Sequence, residues 1–310
     1  MKAVVCASSE WGSCPSTMRL RLATNAALLL LAGVQPSSAW VRLNGIFTDH
    51  MVLQTPHPGL PPARIFGLAY TSEQVVVESS VGIPGGAVTV SPKKTGVSHW
   101  PRPLGAPWGN WSVNLDFGSV MPGKPFSITI RSKQNASDST TLSDVVVGEV
   151  FFCAGQSNMK LTVDATDDKD AEYAAAVELG SRARVNFIGG NLSLDGPQDS
   201  PNTGNWTLGS TTPDDNGTAI AQFSAVCWAH GRMIAEWLLK KHGDAAPVVG
   251  MVEVSVGGTT IHHWVPDYVG NKCNETGLLP NSGECVQYPA GWIYDGSVRS
   301  PFSRLYIDAT

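Results

Sequence analysis

Positive charge is scarce in this sequence. Its 310 residues carry 21 Lys and Arg against 26 Asp and Glu, a formal net charge of −5. No basic face is expected, and nucleic acid is excluded as a partner. Long apolar runs are scarce too: one lies near the N-terminus, and no second stretch approaches the length of a membrane span. Metal-ligand spacing is missing. His262 and His263 are adjacent, and neighbouring histidines alone do not converge on one ion, so no metal is expected. The G-x-S-x-G pattern around Ser157 is incomplete, lacking its second glycine, which excludes the nucleophile elbow of the α/β-hydrolases. What remains is a chain of ordinary apolar content, long enough for one or two globular domains with substantial cores.

The N-terminus reads as a targeting segment. Met18-Arg19-Leu20-Arg21-Leu22 is positive, Ala26 to Val34 is apolar, and Ser37-Ser38-Ala39 offers a small-residue cleavage site before Trp40. Residues 1–39 are therefore expected to be a secretory signal region, with Met1 or Met18 as initiator. Export predicts glycosylation, and acceptor sequons begin at Asn110, Asn135, Asn191, Asn205, Asn216 and Asn274. Cys6 and Cys14 would leave with the signal. Of the others, Cys273 and Cys285 bracket a Gly/Asn/Pro-rich loop and are the expected disulfide, whereas Cys153 and Cys227 sit in apolar runs and read as buried thiols. The expected destination is the lysosome or the extracellular space.

From residue 40 to residue 144 the punctuation is that of short strands. Val41–Leu43, Ile65–Leu68, Gln74–Glu78, Ala87–Val90, Trp111–Leu115 and Phe126–Ile130 are β-branched or aromatic runs separated by Pro, Gly and Asn clusters. They predict an antiparallel β-sandwich-like domain. Ser91 to Pro107 reads as a surface insertion. Asp49 and His50 resemble a catalytic dyad, but neighbours in a strand point to opposite faces, so a structural role is expected.

Residues 145–310 change character. Val145 to Gly155 is a dense apolar strand that stops at a glycine, and Gln156-Ser157-Asn158 follow before a polar, helix-compatible stretch. A serine so delivered stands beyond the carboxyl end of a strand, where ligands of open α/β sheets sit. Ala171 to Leu179 predicts a helix, Arg184 to Ile188 a strand, Phe223 to Lys241 a longer helix and Pro247 to Val256 a second buried strand. His230 lies within that longer helix and is expected to pack against or cap a neighbour. Strand, helix, strand implies a parallel sheet. Gly257-Gly258 at the second strand's carboxyl end would let backbone N–H groups approach a developing oxyanion.

Gly148 to Met159, G-E-V-F-F-C-A-G-Q-S-N-M, resembles the first block of the SGNH-type esterases in their carbohydrate-esterase branch, most closely the sialate O-acetylesterase family. Thr48 to Gln54 resembles that family's opening phrase, and Ser255 to Trp264 its S-x-G-G-T-x-x-x-x-W block. The resemblance implies an α/β fold: the β-sandwich-like domain followed by an SGNH-type parallel α/β/α sheet. It makes Ser157 the nucleophile, Gly257 or Gly258 the oxyanion donor, and Gln156, Asn158, Ser255 and Thr259 supporting residues. It implies hydrolysis of O-acetyl esters on sialic acids through an acyl-enzyme, with no cofactor and no catalytic duty for His262 or His263.

The family's catalytic histidine stands in a downstream Asp-x-x-His block, and a W-Y-Q-G-E-like phrase lines its site. Neither pattern occurs here, and the likeness runs from Trp40 to Tyr306. The chain is therefore expected to be a C-terminally truncated front part, inactive alone for want of a base. Two alternatives stay open: a non-catalytic glycan-binding fragment, and an esterase acting on another acetylated carbohydrate, such as a plant polysaccharide.

Overall fold

The computed structural model describes residues 40–57, 62–83, 86–94, 108–117, 122–188, 204–210 and 219–265. The signal region, Cys273, Cys285 and the sequons at Asn191, Asn216 and Asn274 lie outside the described residues. Eight strands come first: β1 (Val41–Leu43), β2 (Val52–Gln54), β3 (Ala63–Tyr70), β4 (Val75–Ser79), β5 (Val88–Val90), β6 (Lys93–Lys94), β7 (Trp108–Leu115) and β8 (Phe126–Ser132). Strand β9 (Ser139–Gly155) runs into the short helix α1 (Ser157–Lys160). Then follow α2 (Lys169–Leu179), β10 (Ala183–Phe187), β11 (Thr207–Leu208), α3 (Ala225–His242) and β12 (Val248–Ser255).

Burial follows the patterning. Residues of β8 alternate between buried and half-buried, as befits a strand with one face on a core, whereas every residue of β12 is buried, as befits a strand covered on both faces. One sheet has the order β1-β3-β7-β6 and is antiparallel. The other has the order β11-β10-β12-β9-β8-β4-β5, with β2 paired to β9. Its β9-β8-β4-β5 part is antiparallel, while β10, β12, β9 and β2 pair in parallel. The fold is thus mixed α/β, a β-sandwich joined to a parallel sheet.

Strand β9 joins the two halves. Its first part pairs antiparallel with β8, and Gly148 to Gly155 pair in parallel with β12. The boundary expected at residues 144/145 falls inside this one strand, at Asp144, whose φ is 52°. One apolar cluster, including Phe66, Trp111, Ile128 and Leu142 of the sandwich, continues to Val248, Val252 and Val254 of β12. A second cluster, including Val163, Val185, Trp228 and Met251, fills the space between the parallel strands and the helices α2 and α3. Cys153 and Cys227 join in that cluster as a disulfide, which corrects their reading as thiols. Each apolar run revealed burial, but not that the two runs meet, with Cα atoms 5.8 Å apart. The bond joins residues 74 apart in sequence, and closing such a loop stabilises by about 4 kcal/mol in the chain-entropy picture.

Asp49 and His50 have the structural role expected of them. Asp49 Oδ1 accepts the Ser143 N–H at 2.6 Å, and His50 Nδ1 lies 2.7 Å from Asp144 Oδ2. Arg184, 1% exposed, donates to the carbonyls of His50 and Asp144 and to Asp144 Oδ1. Burial lowers the Arg184 pKa, and the Asp144 charge and hydrogen bond oppose that shift. His50 and Asp144 both hold positive φ, 65° and 52°, a strained state for residues with a Cβ. The guanidinium bonded to both carbonyls holds them there.

Two substitutions test this framework by urea unfolding. Arg184→Ala leaves two carbonyls and Asp144 Oδ1 without this donor, with only His50 still beside the carboxylate, and is expected to cost about 3 to 5 kcal/mol. Gly148→Ala would drive a Cβ into the Val248 carbonyl oxygen between β9 and β12. Backbone must then move, for an expected loss of about 1 to 3 kcal/mol.

Candidate active site

Ser157 stands where the strand-end argument put it. Strand β9 ends at Gly155, and Ser157 opens α1. A Cβ at position 155 would come within 2.9 Å of Met159 Cβ, so the close turn requires glycine. Ser157 is exposed, and its hydroxyl donates to Gln156 Oε1 at 2.8 Å. Asn158 is exposed beside it.

The second turn lies at the neighbouring strand end. Ser255, the last residue of β12, is the Cα partner of Gly155, and the Val256 N–H bonds the Gly155 carbonyl at 3.0 Å. Gly257 and Gly258 follow. Gly258 has φ 75°, and nothing lies within 4 Å of a Cβ placed on either glycine. Thr259 shapes the turn by donating to the Val256 carbonyl at 2.8 Å, while its hydroxyl accepts the Trp264 indole N–H at 3.0 Å. Ser157 and the glycine pair thus sit at one end of two hydrogen-bonded parallel strands. The arrangement offers an exposed hydroxyl beside an open backbone turn, which suits attack on a carbonyl whose oxygen needs N–H donors.

A base for Ser157 is not among the described side chains. His50 lies near the start of β9, roughly 30 Å from Gly155 along the strand. His57 pairs with Glu149 at 3.1 Å, about 20 Å before Gly155 by the same measure. His230 is exposed and packs edge-on against Phe151, a packing contact of the kind expected, and His242 ends α3. His263 is buried, and its Nδ1 accepts the Thr260 N–H at 3.0 Å in a capping arrangement. The His262 side chain and His99 lie outside the described residues. No group of three or more His, Cys, Asp or Glu that could hold a metal is found among the described residues.

One residue escaped the reading of the sequence. Glu253, 2% exposed, lies in β12 two residues before Ser255. Its Oε1 accepts the Ser255 hydroxyl at 2.6 Å, and its Oε2 accepts the Ser224 N–H at 2.6 Å. Burial raises its pKa above 4.5, opposed by these hydrogen bonds and by Lys160. The available signal was a lone carboxylate inside the otherwise apolar run Val248 to Val256. An unpaired charge is rarely spent there without a partner.

No family model matches the chain. Among curated proteins, it is 27% identical over 278 residues to the sialate O-acetylesterase of Mus musculus, covering 83% of this chain and 46% of that protein. It is 29% identical over 247 residues to the rat enzyme of the same name, from Rattus norvegicus, covering 76% of this chain and 40% of that one. The Homo sapiens sialate O-acetylesterase is 26% identical over 248 residues, 42% of its own length. The chain therefore spans less than half the length of these relatives. Among solved structures, a carbohydrate acetylesterase from Xanthomonas citri shares the fold, with a TM-score of 0.57 and 21% identity over 84% of this chain and 48% of that one. By sequence the chain is similar to the sialate O-acetylesterases, and it shares its fold with a carbohydrate acetylesterase.

Proposed function

We propose that the chain carries the nucleophile and the oxyanion turn of a serine esterase that removes O-acetyl groups from sialic acids. The observation that carries this reading is the parallel register of β9 and β12, which sets the Ser157 and Gly257-Gly258 turns side by side. The names of the relatives supply the substrate class. In this reading Ser157 Oγ attacks the acetyl carbonyl, and the Gly257 or Gly258 N–H holds the oxyanion. The ester C–O bond breaks, the sugar hydroxyl leaves with a proton, and water then releases acetate from the acetyl-serine. Gln156, Asn158, Ser255 and Thr259 support the two turns. No step calls for a cofactor.

The base lies outside the described residues. Ser157 rests against an amide oxygen, which cannot take up its proton near neutral pH. In this reading the described residues by themselves are an incomplete catalytic set. The reading extends to passage through the secretory pathway towards lysosome or cell exterior, a route that the sequons at half-exposed Asn135 and exposed Asn205 suit.

The test is acetate release from O-acetylated sialic acid and from p-nitrophenyl acetate. The folded chain is expected to show none beyond its Ser157→Ala control. Fused in cis to a relative's downstream Asp-x-x-His segment, it is expected to gain activity that Ser157→Ala then lowers on the order of 10⁴-fold or more. Activity that survives Ser157→Ala in either form would sink the assignment. Release from acetyl xylan but not from sialic acid would move the substrate to another glycan.

A further inference from the structure

Glu253 uses its two oxygens on two different elements. Oε2 accepts the backbone N–H of Ser224, the residue that caps α3, at 2.6 Å. The fully buried Ser224 hydroxyl accepts the Cys227 N–H and donates to Met159 Sδ, each at 3.2 Å. Met159 belongs to α1 and packs against Gly155, the residue before the Gln156-Ser157 pair. Close by, the Ala225 N–H bonds the Leu161 carbonyl at 2.7 Å, so the start of α3 is fastened to the end of α1. Oε1 leads the other way. It accepts the hydroxyl of Ser255, which stands opposite Gly155 and immediately before Val256 and the two glycines.

Resting on the reading of Ser157 as nucleophile, we propose that Glu253 is a positioning residue that holds the Ser157 turn and the Gly257-Gly258 turn in fixed relation. It does so through Ser224 and Met159 on one side and through Ser255 on the other. A carboxylate suits the place because both contacts demand an acceptor: a backbone N–H can only donate, and the serine hydroxyl donates to the second oxygen. Such charge-assisted bonds inside a low-dielectric core are short and stiff, which is what two turns converging on one carbonyl carbon require. A residue that merely capped α3 would need the first contact alone. The bond to Ser255 connects it to the second turn.

The test is residue-resolved amide hydrogen exchange of the folded 310-residue chain. The Ala225 and Lys160 amides, bonded to Leu161 and Gln156, report the Ser157 side, and the Val256 amide, bonded to Gly155, reports the glycine side. Glu253→Leu is expected to speed exchange about ten-fold on both sides. Ser224→Ala should do so on the Ser157 side only, and Ser255→Ala on the glycine side only. Val254→Ala, a core truncation on the opposite face of the same strand, should favour neither.

If Glu253→Leu does not fold, the opposed selectivity of the two serine variants decides the matter. Uniform acceleration in all variants, or no acceleration in either serine variant, would overturn the proposal. Exchange needs no turnover, so a Ser157 that stays inert in the fused form, with selective exchange, defeats the functional reading alone. Hydrolysis that depends on Ser157 with unselective exchange defeats only the positioning role.

Discussion

The parallel ladder between β9 and β12 sets most of what can happen at the carboxyl end of the sheet. From Gly148↔Val248 to Gly155↔Ser255 the pairing runs without a break. A shift of one residue would turn every side chain of one strand to the other face. Cys153 would then no longer face α3, and the Gly155 carbonyl would no longer meet the Val256 N–H. Register here is a site property as much as a fold property. It makes the serine turn and the glycine turn neighbours although they are far apart in sequence. Apolar burial on both faces of β12 makes it costly to change.

One buried charge lies within this ladder and another on the strand beside it, and the same rule holds both. Arg184, at the amino end of β10, is satisfied chiefly by backbone carbonyls of His50 and Asp144, with one bond to the Asp144 carboxylate. Glu253, towards the carboxyl end of β12, is satisfied by a backbone N–H and a hydroxyl. Desolvation works against the charge in each case, and fixed dipoles or a neighbouring charge oppose it. Neither is cheap for stability, and apolar residues of similar volume could fill the same space. What the charges add is direction. Arg184 fixes two residues in left-handed backbone at the bend of β9, and Glu253 ties three elements together under the turns.

The reading of the sequence succeeded where structure is local. Strand β8 alternates, β12 is apolar throughout, and α3 repeats at helical spacing, and each is written in its own residues. The Gly-Gln-Ser turn and the Gly-Gly turn were legible for the same reason. What the sequence hid depends on which segments meet. Strand β9 continues through Ser139 to Asp144, a polar stretch with no strand pattern of its own, because β8 supplies its partner. Cys153 and Cys227 each read as a small buried apolar residue until α3 was laid on β9. Glu253 looked like a stray charge until Ser224 and Ser255 arrived on either side of it.

The placement of Glu253 also bears on the nucleophile. A buried carboxylate two residues before the end of the neighbouring strand invites the role of base, yet both of its oxygens are engaged and Ser157 Oγ bonds elsewhere. Moving a proton from Ser157 to Glu253 would require breaking one of those bonds and opening the packing around Ser224, which is fully buried. His263 is closed off in a similar way, since its Nδ1 holds the start of its own turn at Thr260. Glu253 and His263, on either side of the glycine turn, are thus spent on holding that turn in shape. The described residues therefore account for the adjacency of the Ser157 turn and the Gly257-Gly258 turn, and under the proposed reading the base belongs to a residue outside them.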